Sequence, residues 1–215
     1  MQAEILEVCI GQPQEIEVNG QKELSGIFKL PFHSAVDLTL TNLAGDGQAD
    51  LRFHGGPHKA VYVYSANYYD FWKEDLGRKV LEPSQFGQNL TVAGLSDDEV
   101  CLGDQFQLGQ AKVTVVQPRI PCAKLGVRLG DPDFPARFLL AGYLGYYLKV
   151  DEPGTVASGN SMRLIQRVNH GYSVRALWQT VFTEDRDLDL IRFGLGFEGL
   201  DEGWKKRLRN LDETS

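Results

Sequence analysis

The sequence predicts a mainly β protein, a barrel or sandwich with short helices inserted in it and a small helical unit at the C-terminal end. Short apolar segments separated by glycine-containing turns continue through roughly the first three quarters of the chain, as in folds built from many short strands. After about Arg167 the pattern changes to helical periodicity. These two observations predict a barrel domain over residues 1–167 and a helical unit over 168–215.

Alternating or short apolar runs identify the strands in order along the chain. They predict strands over 3–9, 14–18, 26–30, 36–41, 90–92, 105–108, 112–117, 145–150 and 161–168. Turn sequences such as Gly45-Asp46-Gly47 and Glu152-Pro153-Gly154 separate several of them. The number and shortness of these strands favour a barrel or a sandwich.

Helical periodicity predicts a helix over 65–76, with Ser65 as its N-cap, and a shorter one over 134–142. In the helical unit, Ser173, Thr183 and Asp201 are the predicted N-caps of three helices ending near 179, 193 and 210. Such a unit is too small to hold a core alone, so its apolar face must pack on the barrel or on another subunit, and a homodimer is one expected assembly. It has no cluster of reactive residues, so we expect its role to be separate from the site.

The composition excludes several classes of partner. The net charge of −7 and the pI near 5.1 disfavour nucleic acids and anionic membranes as partners. No apolar run approaches the roughly 18 to 20 residues of a membrane span, and the N-terminal sequence lacks a signal-peptide pattern. Three widely spaced cysteines fit neither a disulfide framework nor a zinc site of the CxxC type. We therefore expect a cytoplasmic protein.

Basic residues form two groups in this acidic chain, and carboxylates are absent from both stretches. The first group is Arg52, His54, His58 and Lys59, and the second is Arg119, Lys124 and Arg128. Two such groups predict a local site for a small anion such as phosphate. The alternative is that these long side chains only cover the surface of the sheet.

Cys122 is the candidate reactive residue. It lies three positions after Arg119 and two before Lys124, and nearby cations favour the thiolate, which attacks electrophiles and binds soft metals. Pro118 and Pro121 hold the preceding backbone extended, which fixes the direction of the side chain. The alternative is a small buried apolar residue, as most free cysteines are.

Two further segments carry polar groups suited to binding. In His54-Gly55-Gly56-Pro57-His58-Lys59, the two glycines allow backbone N–H groups to point at an anion. The two histidines also fit a zinc site, although a third ligand is not evident. In the segment 86–90, Asn89 offers a donor and an acceptor to a heteroaromatic edge, or else it bonds its own backbone in a turn.

Three ordered motifs, His54-Gly-Gly-Pro-His-Lys-Ala60, Phe86-Gly-Gln-Asn-Leu90 and Pro118-Arg-Ile-Pro-Cys-Ala-Lys-Leu125, resemble the MOSC domain family, named after the C-terminal domain of molybdenum cofactor sulfurase. The resemblance is greatest to the YiiM-like branch, in which a MOSC β-barrel precedes a three-helix unit, and it covers nearly the whole chain. One departure is His58, at a position where the family commonly has an acidic residue.

The resemblance implies binding of the molybdenum cofactor, with Cys122 as the metal's thiolate ligand and a catalytic residue. It also implies reduction of N-hydroxylated compounds such as hydroxylaminopurine-type base analogues, with His54 as the candidate for proton delivery. The remaining candidate cofactor-binding residues are Gly55, Gly56, His58, Lys59, Asn89, Gln117, Arg119 and Lys124. Because the chain has no dinucleotide fingerprint and no iron–sulfur cysteine set, electrons are expected from a separate reductase.

Two other functions are compatible with the same residues. A non-catalytic module could carry the cofactor, or hold sulfur as a persulfide on the thiolate. A cysteine hydrolase would pair Cys122 with His54 or His58 as its base.

Overall fold

The computed structural model describes residues 1–49 and 55–212. Twelve strands occur in this part of the chain: β1 Gln2–Ile10, β2 Gln14–Val18, β3 Gln21–Ser25, β4 Leu30–Pro31, β5 Val36–Leu38, β6 Val61–Ser65, β7 Leu90–Val92, β8 Gln105–Leu108, β9 Ala111–Pro118, β10 Tyr146–Glu152, β11 Gly154–Val156 and β12 Ser161–Gln166. The helices in the same ranges are α1 Tyr69–Asp75, α2 Ala123–Leu129, α3 Phe134–Ala141, α4 Val174–Phe182, α5 Leu188–Gly196 and α6 Glu202–Asp212, with 3₁₀ turns at Pro57–Lys59 and Ala66–Tyr68. The predicted mainly β fold with C-terminal helices is confirmed.

Seven strands form a closed barrel in the order β12-β8-β9-β10-β6-β7-β1, and β1 pairs with β12 to close it. The barrel is mixed because β6 and β7 run parallel, whereas its other neighbours are antiparallel. The short strand β4 pairs with the end of β1, and β2 and β3 form a separate hairpin. Closure leaves no unpaired edge along most of the barrel.

Strand β6 has a buried surface on both faces, which explains its continuous apolar sequence. Val61 and Val63 belong to the barrel core, whereas Tyr62 and Tyr64 belong to an aromatic layer outside it. Helices α1 and α3 cover that layer, and the Trp72 indole nitrogen donates a 2.5 Å hydrogen bond to the Tyr64 hydroxyl. The barrel therefore has a packed core inside and a second apolar layer on one side.

The last three helices share an apolar cluster of their own, which includes Leu177, Ile191 and Leu208. The cluster also takes in Leu102 of the barrel domain, and the Trp204 indole donates to the Pro118 carbonyl at 3.2 Å. The helical unit thus packs on the barrel, one of the two arrangements expected from its apolar face.

Several predicted elements are confirmed, and others are wrong in their limits. The predicted strand over 26–30 is reduced to β4, because Gly26 packs against the Gly47 backbone instead of joining a ladder. The strand over 36–41 ends at Leu38, where Thr39 begins a turn by donating to the Asn42 carbonyl. The second C-terminal helix begins after Asp187, whose carboxylate accepts two first-turn N–H groups, and not after Thr183.

Candidate functional site

Cys122 lies at the N-cap of α2, four residues after the end of β9. Its backbone is extended, with φ −132° and ψ 172°, and the helix begins at the next residue. The thiol is half-buried and accepts no hydrogen bond from the first helical turn. The extended direction expected from Pro118 and Pro121 is thus present, and it is followed by a helix that the sequence did not predict.

A cleft opens beside Cys122 and encloses about 620 Å³, including its open mouth. The charged residues of its described lining are four cations and one carboxylate: Lys29, Lys59, Arg119, Lys124 and Asp46. We call it the basic cleft. In a chain of net charge −7, this local excess of positive charge favours an anionic ligand.

Arg119 is the buried cation of the basic cleft. Its guanidinium donates to the Phe86 carbonyl and lies over the Tyr62 ring, 4.6 Å from the ring centre. Burial opposes its charged form, but Tyr62, Tyr147 and Cys122 together hold the pKa of Arg119 above its ordinary value. The group therefore stays charged close to the thiol, and such a cation favours the thiolate.

Lys29 and Asp46 form a buried ion pair at the cleft, with Nζ and Oδ1 2.5 Å apart. Burial lowers the pKa of Lys29, and Asp46 opposes the change. Asp46 Oδ2 accepts a 2.9 Å hydrogen bond from the Asn89 amide. Neither member of the pair was predicted, because Lys29 lies in an apparent strand and Asp46 in an apparent turn of the sequence.

Asn89 and Gln117, predicted to hydrogen-bond a pterin edge, use their amides within the protein. Asn89 Oδ1 accepts the Tyr62 N–H at 3.1 Å, and its Nδ2 donates to Asp46 and to the Cys9 carbonyl. Gln117 Oε1 accepts the Asp201 N–H at 3.0 Å, and its Nε2 donates to the His58 carbonyl at 3.4 Å. Both side chains fix the walls of the site, and their contact with a ligand stays a prediction.

The two partly buried lysines of the basic cleft have carboxylate partners. Lys59 pairs with Asp201 at 2.7 Å, and Lys124 pairs with Glu23 at 3.2 Å and donates to the Leu24 carbonyl at 2.8 Å. The pKa of Asp201 is lowered: burial opposes this, but the hydrogen bonds from Lys59 and from first-turn N–H groups of α6 outweigh it. These contacts connect the barrel to α6 on one side and to the β2–β3 hairpin on the other.

A second cleft reaches Cys122 from the side of α6 and encloses about 770 Å³, including its mouth. We call it the helix cleft. Its described lining is Lys59, Gln117, Pro118, Ile120, Pro121, Cys122, Tyr147, Asp201, Gly203, Trp204 and Arg207. Cys122, Lys59 and Tyr147 line both clefts. Contrary to our expectation, the helical unit thus contributes residues to a cleft that reaches Cys122. The sequence of this unit showed only helix caps and apolar spacing, and neither feature indicated that Asp201 and Arg207 would line a cleft.

The remaining predicted residues either line neither cleft or lie outside the described ranges. Arg52 and His54 fall outside residues 1–49 and 55–212. Gly55, Gly56 and His58 do not line either cleft, and the Gly56 N–H donates to the Gln48 side chain at 3.3 Å. Burial, and next the charge of Lys149, lower the pKa of His58. Their roles in binding stay predictions.

Arg128, the third cation of the second basic group, lines neither cleft. It donates to the carbonyls of Pro83 and Ser84 and lies 5.0 Å from the centre of the Phe28 ring. Of the two basic groups, the structure therefore joins Lys59, Arg119 and Lys124 around one cleft.

The other two cysteines are buried thiols away from the lining of both clefts. Burial raises the pKa of Cys9 to about 12 and also raises that of Cys101. Across the two described ranges, no group of three or more histidine, cysteine, aspartate or glutamate side chains could hold a metal ion, so a zinc site of protein ligands alone has no support there. No helix within those ranges is long and apolar enough to cross a membrane.

The sequence model of the MOSC domain matches residues 50–163, which include Lys59, Arg119, Cys122 and Lys124 of the basic cleft. This chain belongs to the MOSC domain family. The Bacillus subtilis (strain 168) protein YflK is 43% identical to this MOSC protein over 201 residues, covering 94% of this chain and 90% of YflK. The crystal structure of YiiM from Geobacillus stearothermophilus superposes with a TM-score of 0.79 at 26% identity and covers 97% of this chain and 98% of that one.

A third relative is much longer than this MOSC protein. It is a protein of Gibberella moniliformis (strain M3125 / FGSC 7600) named "Reductase", 27% identical over 190 residues. The match covers 87% of this chain but 34% of the relative. Most of the relative's length therefore has no counterpart here.

Proposed function

We propose that this protein binds the molybdenum cofactor in the basic cleft, with the Cys122 thiolate on the metal, and reduces N-hydroxylated compounds. The observation that carries the proposal is the position of Cys122, which alone of the three cysteines lines the clefts and lies near the buried, charged Arg119. Membership in the MOSC domain family supports the choice of cofactor.

The donor set of the basic cleft fits this cofactor. Molybdenum in the cofactor takes sulfur ligands, which a thiolate supplies, and the cofactor's phosphate requires cations. Lys29, Lys59, Arg119 and Lys124 provide those cations around one opening. Gly87 lines the same cleft with φ +77°, and a Cβ there would lie 2.6 Å from Ile27, so only glycine leaves this wall in place.

When bound, the metal would supply the redox chemistry of N–O reduction. The protein's own residues would bind and orient the reactants: Arg119 and Lys29 would hold the anion from buried positions, and Lys59 and Lys124 from partly exposed ones. His54 remains the proposed proton donor. We propose a separate reductase as the electron source, and the longer relative named "Reductase" supports a link between this domain and redox chemistry.

The decisive experiment compares Cys122→Ser with Cys101→Ser after expression in a cofactor-competent host. Serine replaces a soft thiolate with a hard hydroxyl of nearly the same size, so both variants should fold. We expect molybdenum, measured by mass spectrometry, and reductase activity to be lost from Cys122→Ser and retained in Cys101→Ser.

Three outcomes would contradict the proposal or part of it. If the wild-type protein contained no molybdenum, the cofactor would not be part of its function. If Cys122→Ser kept its full metal content and activity, the Cys122 thiolate would not be a ligand of the metal. Metal bound without turnover, in the presence of a reduced electron donor, would instead identify a carrier. A hydrolase that uses His58 as its base has less support, because His58 lines neither cleft.

A further inference from the structure

Helix α6 carries a dense group of cations in an otherwise acidic chain. Four of its five residues from 205 to 209 are basic: Lys205, Lys206, Arg207 and Arg209. Arg207 lines the helix cleft. Positions 205 and 209 are four residues apart and positions 206 and 209 three apart, so these three side chains lie on one side of the helix, outside its buried residues Trp204 and Leu208. We call Lys205, Lys206 and Arg209 the α6 basic face.

Much of the charge on the α6 basic face is not neutralised by the described residues. Glu202, on the same side of the helix, pairs with Arg209 at 2.8 Å. Lys205 and Lys206 take part in no ion pair within residues 1–49 and 55–212, and Lys206 is exposed. In a protein of net charge −7, a local group of solvent-accessible cations attracts an acidic surface.

The position of α6 is fixed relative to the segment that leads to Cys122. The Trp204 indole donates to the Pro118 carbonyl at 3.2 Å, and the Asp201 N–H donates to the Gln117 side chain at 3.0 Å. The helix cleft is lined by both elements and reaches Cys122. A protein that docks on the α6 basic face is therefore held at a defined place beside this cleft.

The chemistry of the proposed function requires electrons from another molecule. Reduction of an N-hydroxylated compound takes up two electrons and two protons, breaks the N–O bond, and yields an N–H group and water. The sequence has neither a dinucleotide fingerprint nor an iron–sulfur cysteine set to supply those electrons. Electron-carrier proteins meet their partners through small, transient interfaces, in which complementary charge determines the rate of encounter.

We propose, on the basis of the proposed function, that the α6 basic face is the docking surface for a separate electron-carrier protein with an acidic surface around its flavin or iron–sulfur group. The carrier docks beside the helix cleft, and its electrons enter the molecule from the side of α6.

The test reverses the two unpaired charges in the double variant Lys205→Glu/Lys206→Glu. The control, Lys73→Glu/Lys79→Glu, makes the same change of net charge on α1 and the loop after it, where neither residue lines a cleft. Reduced flavodoxin and a reduced [2Fe–2S] ferredoxin, chosen for their acidic surfaces, serve as electron donors. Dithionite-reduced methyl viologen is the donor that needs no docking. Calorimetry measures binding of both carriers, in oxidised form, to molybdenum-loaded and to metal-free protein.

We expect the α6 variant to bind the carriers about tenfold more weakly than wild type at low salt and to show a correspondingly higher KM for them. Its molybdenum content and its turnover with methyl viologen should equal those of wild type. Rising salt should weaken binding to wild type and change binding to the variant little, because salt screens the charges that the variant has lost. The control variant should bind the carriers as wild type does.

The other outcomes would overturn the docking surface or separate it from the proposed function. Equal binding by wild type and the α6 variant, equal losses in the α6 variant and the control, or no binding of either carrier by wild type would each overturn it. Loss of molybdenum or of viologen-driven turnover in the α6 variant would show that the two lysines serve the cofactor site instead.

Two further outcomes concern the occupant and the reaction. A wild-type dimer that dissociates in the α6 variant on size-exclusion chromatography would show that a second copy of this chain covers the face, which would overturn the carrier as its occupant. If no protein contained molybdenum but the pattern of carrier binding held, the docking surface would stand and the reductase function would fall.

Discussion

Asp46 joins several distant segments through a single carboxylate. Its Oδ1 accepts hydrogen bonds from the Gly11 N–H and from Lys29, and its Oδ2 accepts one from Asn89. Removing one member of a buried ion pair leaves the other charge without compensation, which costs roughly 3 to 5 kcal/mol. We expect Asp46→Asn to lower the free energy of unfolding in urea by about that amount.

An exposed ion pair provides the control for Asp46. Lys112 and Glu152 are nearly as close, at 2.7 Å against 2.5 Å, but their side chains are 44% and 63% exposed, against 8% and 4% for Lys29 and Asp46. Glu152→Gln should therefore change the unfolding free energy by less than about 1 kcal/mol. Equal effects of the two substitutions would show that burial does not determine the contribution of Asp46.

Asp97 predicts a dependence of stability on pH. It is fully buried, its Oδ2 accepts the N–H groups of Leu144 and Gly145, and its Oδ1 has no partner in the described part of the chain. Burial raises its pKa to about 7. Between about pH 4, the ordinary value for aspartate, and pH 7, the folded protein holds a proton that the unfolded chain releases. The contribution of Asp97 to stability is thus greatest at low pH and is lost as the pH rises through 7.

Urea unfolding of the wild type and of Asp97→Asn at several pH values between 5 and 8 tests this expectation. Asparagine keeps an acceptor for the two N–H groups but does not titrate, so the wild type should lose stability relative to the variant as the pH rises. Parallel stability profiles for the two proteins would rule out titration of Asp97 in this range.

At the residue scale, the sequence singled out Cys122, which lines both clefts, but not the partners that surround the cleft. Cys122 was found because its cations and prolines are adjacent in the chain. Asp46 and Asn89 were interpreted as turn residues or as ligand contacts, because an amide or a carboxylate has the same hydrogen-bonding capacity in either role. Their actual partners lie 17 to 80 residues away in sequence, and local patterns contain no information about such contacts.

Among the elements, the β2–β3 hairpin is attached to helix α2 beside the site. Lys124, in the first turn of α2, pairs with Glu23 and donates to the Leu24 carbonyl. We expect Lys124→Met to accelerate amide hydrogen exchange in the hairpin by several-fold, while the unfolding midpoint changes little, because local opening has its own free energy.

Lys22→Met is the control for this variant, because Lys22 pairs with Glu15 inside the hairpin and both side chains are exposed. It should leave the exchange of the hairpin unchanged. The same acceleration in both variants would mean that the hairpin's own surface charges, not its attachment to α2, set its mobility.

Secondary structure was predicted well where the local pattern and the final contacts agree. Strands β8 and β9 alternate buried and partly exposed residues along most of their length, and both were predicted. Helix α2 was missed because the prolines before Cys122 indicate extended backbone and the helix has only seven residues. Its Gly126 packs closely, since a Cβ there would lie 2.8 Å from the Asp131 carbonyl oxygen, a contact that a sequence pattern cannot show.

For the whole molecule, the helical unit protects barrel surface and forms one side of a cleft. Leu102 is fully buried in the cluster of α4, α5 and α6, and Trp204 is 1% exposed. Truncation after Arg167 should expose this apolar surface and cause aggregation on size-exclusion chromatography. Truncation after Asp212, which keeps α1 to α6, should not. If the chain truncated after Arg167 gave a soluble protein with the molybdenum content of the full chain, the barrel alone would be sufficient for solubility and metal binding.

The barrel is closed by its first and last strands, since Gln2 of β1 lies opposite Arg163 of β12. Contacts so distant in sequence give a high contact order, and loops of this length close late in folding. During synthesis, the edge of β1 that faces β12 therefore stays unpaired until almost four fifths of the chain has left the ribosome, roughly ten seconds or more at ordinary elongation rates. The nascent chain is consequently most exposed to strand-mediated aggregation in that interval, and a chaperone that binds this N-terminal strand would increase the yield of folded protein more than one that acts after release.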